Sequence, residues 1–109
     1  MATQTKKLDA LKKRKVRPTG PGELAAMLLE EQGISQTEAA RRLGISRVHL
    51  NRFLNDHVAL TPDTANRLGR FFGNGPAFWL RLQHEREMWD VLHSDSRAYA
   101  NVEPLDKAA

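Results

Sequence analysis

The chain has 109 residues, enough for one small domain with short extensions, and its 40% hydrophobic and 28% charged residues are the balance of an ordinary globular protein. It contains no cysteine, which excludes a disulfide framework, a thiolate nucleophile and a cysteine-ligated zinc. No apolar run approaches the ~20 residues of a membrane span, and the N-terminus lacks the apolar stretch of a secretory signal, so a cytoplasmic protein without a membrane partner is expected.

The formal net charge of +4 is unevenly placed. Residues 1–17 hold Lys6, Lys7, Lys12, Lys13, Arg14, Lys15 and Arg17 against one acid, Asp9, while the rest of the chain carries more acids than bases. The first 17 residues therefore read as a basic, flexible arm. Such an arm attracts polyanions by counterion release whatever their sequence; the alternative is a solvated terminus with no such role.

Pro18, Gly20, Pro21 and Gly22 divide this arm from the remainder of the chain. Pro21 suits the first turn of a helix, where its missing N–H costs nothing. PGELAAMLLEEQG then places Leu24, Met27, Leu28 and Leu29 on one helical stripe ending at Gly33, which predicts a helix over about 21–32. A second helix starts at Ser35 with the capping box S-x-x-E, Ser35 to Glu38, turns Ala39, Ala40 and Leu43 inward and stops at Gly44. Ser46 caps a third helix with Leu50, Phe53 and Leu54 inside. Thr61-Pro62 opens a fourth over about 62–72, with Ala65, Leu68 and Phe72 inside and Gly73 at its end. Asn74-Gly75-Pro76 opens a fifth that runs to about 92 through Phe78, Trp79, Leu82, Trp89 and Leu92. Residues 94–109 are polar and small, and read as a loosely ordered tail. The expected fold is all-α, with five helices in a domain over 18–93.

The connection between the second and third helices is about three residues, Gly44-Ile45-Ser46. That length forces a sharp crossing and is the spacing of a helix-turn-helix. Counting from Gln36, small Ala40 is fifth, where the helices touch, and Gly44 is ninth, in the turn. Ala39, Leu43, Ile45, Leu50 and Phe53 fall on the buried places. The open arc of the third helix carries Arg47, Val48, Asn51, Arg52 and Asn55, the composition of a helix that enters the major groove. Arg47 suits guanine O6 and N7, Asn51 suits adenine N6 and N7, and Val48 suits a thymine methyl group. Gln36, Thr37 and Ser46 lie at helix N-termini, where N–H groups and short polar side chains suit phosphates. Arg52 fits a phosphate as readily as a base. One helix offers few base contacts, so a symmetric dimer on a palindromic double-stranded operator is expected.

No catalytic set emerges, and no enzyme activity is expected. HEREM, from His84, resembles the zinc motif H-E-x-x-H, but Met88 stands where the second ligand belongs. His49 and His57 fall on opposite sides of a helix end, and Glu85 and Glu87 point to different faces. No glycine-rich phosphate loop, metal site or cofactor motif is present.

PGEL, ISQTEAARRLGISR, LTPDTANRLGRFFG and FWLRLQ, between about Pro18 and Trp89, together resemble HigA-type antitoxins of the xenobiotic-response-element (XRE) class of repressors. The resemblance implies a lambda-repressor-like helix-turn-helix domain that binds its own promoter as a homodimer. It also implies a HigB-type toxin partner, a RelE-like mRNA endonuclease held inactive in the complex. Carried over by position, it makes Gln36, Thr37, Ser46, Arg47, Val48, Asn51 and Arg52 the DNA-facing set. It implies a dimer built from the last long helix, for which Trp79, Leu82, Trp89 and Leu92 are candidates; Trp79 suits the core better, and Trp89 suits either place. The basic arm and the tail after His93 lie outside the resemblance. Two other readings fit the same motif: a free-standing XRE-type repressor without a toxin, and an adaptor that uses the fold without touching DNA.

Overall fold

The computed structural model describes residues 2–95 and 97–106, with side chains from Leu8 onward. Met1 of the expected arm and Ser96 and residues 107–109 of the expected tail lie outside the described residues. The helices are α1 (Ala2–Lys13), α2 (Pro21–Glu31), α3 (Gln36–Leu43), α4 (Arg47–Leu54), α5 (Pro62–Phe72), α6 (Pro76–Leu92) and α7 (Arg97–Ala100), and no strand occurs among the described residues.

The five expected helices correspond to α2 through α6, and their punctuation works as the sequence requires. Ser35 accepts a hydrogen bond from the Glu38 N–H at 3.1 Å, Ser46 from His49 at 3.0 Å and Thr61 from Thr64 at 3.2 Å, so each fills an orphan donor of its helix. The reciprocal half of the capping box is not made, because Arg41 takes both carboxylate oxygens of Glu38. Proline occupies the first position of α2, α5 and α6.

The core forms where α2, α3, α4, α5 and the first half of α6 converge, around Leu29, Ala39, Leu50, Phe53, Leu68 and Trp79. Trp79 is fully buried, and its indole N–H donates to Asn74 Oδ1 at 2.8 Å, so the polar edge of the largest core side chain is satisfied. Helix α6 lies close along α5 because Gly69 has no side chain: a Cβ there would run into the backbone of Gly75 and Pro76. The loop after α4 is clasped to α6 by Gln83, whose amide pairs with both the N–H and the carbonyl of Leu60.

Met27 departs from the expected stripe. It is 57% exposed, and small Ala25 takes the buried place beside Leu29. The stripe is rotated because the start of α2, through Gly22, lies against the backbone at the end of α4, which turns the Ala25–Leu29 line inward.

Two elements lie outside the five. Residues 2–13, read from composition as arm, form α1, which packs on α6. Leu11 is buried and Leu8 half-buried. The carbonyl of Arg14 accepts the indole N–H of Trp89 at 2.9 Å, and Arg17 grips Asp90 with two hydrogen bonds of 2.7 and 2.6 Å. Trp89 is half-buried and stacks on His93, with ring centroids 3.9 Å apart. Helix α7 is one turn without a buried residue, and Tyr99, Val102 and Leu105 around it are exposed.

Candidate nucleic-acid interface

Helices α3 and α4 are joined through Gly44, which adopts φ +73° and ψ 30°, the left-handed conformation that a residue with a Cβ enters only under strain. Its N–H closes α3 onto the carbonyls of Ala40 and Arg41. From α5, Arg67 donates to the carbonyls of Leu43 and Gly44, and its Nε is held by Asp63 at 2.9 Å. The bend is thus fixed from both sides.

With Ala39, Ala40 and Leu43 buried on α3, and Leu50, Phe53 and Leu54 on α4, the opposite faces stand open. Arg47, Val48, Asn51 and Arg52 are all exposed, with Val48 at 69%. Arg47 and Arg52 make no ion pair among the described residues. On the neighbouring helix start, Thr37 and Ser35 are exposed and Gln36 is half-buried. All seven residues expected at the site therefore lie on the outer face of the two helices or at their N-termini. His49 is half-buried and off this face. Asn55, expected on the open arc, is exposed, but its amide donates to the Asn51 carbonyl at 2.8 Å and so closes the end of α4.

A contact that spacing alone does not reveal ties the two helices on this face. The Asn51 amide Nδ2 donates to Gln36 Oε1 at 3.1 Å. One Nδ2 hydrogen and the Oδ1 acceptor of Asn51 remain, which is the pair an adenine edge requires. Ser35 and Ser46 spend acceptor capacity on capping but keep an O–H to donate. The first-turn N–H groups at Gln36 and Thr37 have no intrahelical acceptor, and N–H groups so placed favour an anion.

One acid, Glu38, lies in the first turn of α3. Its carboxyl is held below the usual carboxylate range chiefly by hydrogen bonds from Arg41, so its charge is matched locally where a phosphate would otherwise be repelled. No group of three potential metal-ligating His, Asp or Glu side chains occurs among the described residues, and no helix there is long and apolar enough to cross a membrane.

A helix-turn-helix family model, HTH_3, matches residues 25–80, which span α3, α4 and α5. The chain is 33% identical over 96 residues to antitoxin HigA-1 of Vibrio cholerae, an alignment covering 87% of this chain and 90% of that protein. The solved structure of a HigA-family addiction-module antidote protein from Coxiella burnetii superposes with a TM-score of 0.72 at 34% identity, covering 82% of this chain and 99% of its own. Pseudomonas aeruginosa antitoxin HigA, solved with the higBA promoter, superposes with a TM-score of 0.71 at 33% identity, covering 82% of this chain and 99% of its own.

Proposed function

The chain belongs to the helix-turn-helix family and, within it, to the HigA-type antitoxins; on that premise we propose that it represses its own operon as a dimer and silences a RelE-like mRNA endonuclease toxin. In this reading α4 enters the major groove and α3 spans the backbone. Arg47, Val48 and Asn51 face base edges, while Gln36, Thr37, Ser46 and Arg52 hold phosphates. The domain that does this is residues 18–93, and the dimer forms along α6, where Val91 stays 45% exposed and Leu82 and Leu92 are half-buried.

The single observation that carries the DNA reading is the open face of α4. Two arginines without an ion pair among the described residues, an exposed valine and an amide oriented from a second helix stand together on it. A face that merely solvates the protein has no use for an interhelical amide bond with exposed Val48 beside it. The antitoxin half is supported by the likeness to HigA proteins over most of the chain.

Two measurements test these halves separately. Arg47→Ala with Asn51→Ala should abolish preference for the chain's own promoter fragment over a scrambled duplex; a preserved preference removes α4 as the reading helix. Co-expression with the small reading frame beside its gene should relieve growth arrest and yield a stable complex. A harmless neighbour, or a toxic one neither bound nor relieved, leaves a repressor without that toxin.

A further inference from the structure

Among the described residues five arginines pair with acids: Arg17 with Asp90, Arg41 with Glu38, Arg67 with Asp63, Arg86 with Glu23 and Asp56, and Arg97 with Asp95. Lys12, Lys13, Arg14 and Lys15 form a contiguous run without such a partner there. All four side chains are exposed, and none makes an ion pair or side-chain hydrogen bond among the described residues. Four consecutive cations repel one another, and among the described residues no acid is bonded to any of them.

The segment is also held in a fixed place. Leu11 is buried against α6, the Arg14 carbonyl takes the Trp89 indole N–H, and Arg17 closes on Asp90. These anchors fix the cation cluster beside the C-terminal half of α6, and Arg17, two residues beyond it, lines one cleft with Phe53, Asp56 and His57 at the end of α4. Asp90 is matched there by Arg17 and Asp56 by Arg86, so their charge does not offset the four exposed cations. Helix α4 has 8 residues and is about 12 Å long, so its far end stays close to the phosphates bordering the groove that its near end enters.

We propose that Lys12, Lys13, Arg14 and Lys15 form a second DNA-contacting surface, which binds the phosphate backbone of the duplex flanking the sequence read by α4. The proposal rests on the reading of α4 as the recognition helix. Duplex DNA is the partner that fits. It presents one charge per about 1.7 Å of axis, and each phosphate neutralised releases a condensed counterion whatever the sequence. The contribution is therefore affinity without sequence preference.

The test compares the full chain with Lys12→Gln/Lys13→Gln/Arg14→Gln/Lys15→Gln and with Lys12→Arg/Lys13→Arg/Lys15→Arg. Binding is titrated across a salt series on a fragment of the chain's own promoter and on a scrambled duplex, with the thermal midpoint of each variant confirming the fold. The glutamine variant should lower the slope of log affinity against log salt by about 2 to 4, at about 0.9 per phosphate contact. It should weaken both duplexes by the same factor, and the arginine variant should keep the full slope. An unchanged slope in the glutamine variant overturns the proposal. So does a loss confined to the promoter fragment, or an equal loss in the arginine variant. Failure of the recognition-helix reading shows itself differently, as wild-type protein that binds the two duplexes equally while the slopes still report on the cluster.

Discussion

Arg67 on α5 reaches back to the end of α3, where one guanidinium nitrogen donates to the carbonyls of Leu43 at 2.9 Å and Gly44 at 3.3 Å. A residue 23 positions downstream thus closes the turn that sets the angle between α3 and α4.

Gly44→Ala should cost about 1–2 kcal/mol from the left-handed backbone alone. A Cβ there would also lie 2.9 Å from that same Arg67 nitrogen. Arg67→Ala should cost about 1 kcal/mol, a hydrogen-bond loss moderated by its partial exposure. The two should not add: Gly44→Ala is expected to be milder in the Arg67→Ala background, because the obstructing nitrogen is gone. Denaturant unfolding of the four proteins in the cycle measures this, and strict additivity would remove the contact from the account of the turn.

Asn51→Ala should weaken promoter binding by about 1–3 kcal/mol and relax preference at a single base pair. Gln36→Ala should relax preference at that same base pair, more weakly, by freeing the Asn51 amide to rotate. If Gln36 tunes base preference through Asn51, the double variant shows the base preference of Asn51→Ala alone, while the Gln36 phosphate contact changes affinity equally on all sequences. Selection from a randomised duplex pool reads this directly, and preference altered at two different positions would separate the two residues.

The two tryptophans should differ sharply in what they hold together. Trp79→Ala removes a fully buried indole and leaves a core cavity, with an expected loss of about 3–5 kcal/mol across the whole domain. Trp89→Ala should leave the unfolding midpoint of the core much nearer wild type and accelerate amide exchange in α1, because its indole bonds the Arg14 carbonyl. Equal effects on the midpoint would place Trp89 in the core as well.

Acid should loosen α1. The hydrogen bonds from Arg17 hold the Asp90 carboxyl below the usual carboxylate range, against a smaller opposing effect of burial. Because the folded value is the lower one, the folded state binds fewer protons, and the pair stabilises fully above about pH 4. That contribution is lost as pH falls through the depressed folded value. Glu38 and Asp95 titrate with the same sign, but their partners Arg41 and Arg97 lie within three residues and tie no distant elements together. Protection of the α1 amides, taken relative to intrinsic exchange at each pH, should therefore fall below about pH 4 in the native chain. With Asp90→Asn that protection should already be lower at neutral pH and should change little with acid. Exchange in α1 that is equally slow in both proteins at pH 7 would contradict this.

What the sequence made legible was mostly local. Ser35, Ser46 and Thr61 each cap the helix expected of them, and Gly44 and Gly73 take positive φ where α3 and α5 were expected to stop. These signals act within four residues, so a single sequence carries them. The seven residues expected at the interface fall on one open surface for the same reason, since helical period and turn length determine it. What escaped was long-range or sparse. Helix α1 has only Leu8 and Leu11 as an apolar stripe, too few to stand out beside its four lysines. Arg17 finds Asp90 across 73 positions, and Asn51 finds Gln36 across 15, with no local pattern pointing to either. Met27 was misplaced because α2 is apolar on most sides, and only packing against α4 chooses which side is covered.

The placement of the two indoles also equips the chain with its own spectroscopic labels. Trp79 lies in a dry interior, hydrogen-bonded and shut off from solvent, whereas Trp89 is half in water with an imidazole ring lying flat upon it. Their emission should therefore differ in wavelength and in susceptibility to a dissolved quencher. Events where α1 meets α6 can then be followed by light, apart from events in the core, without attaching a dye.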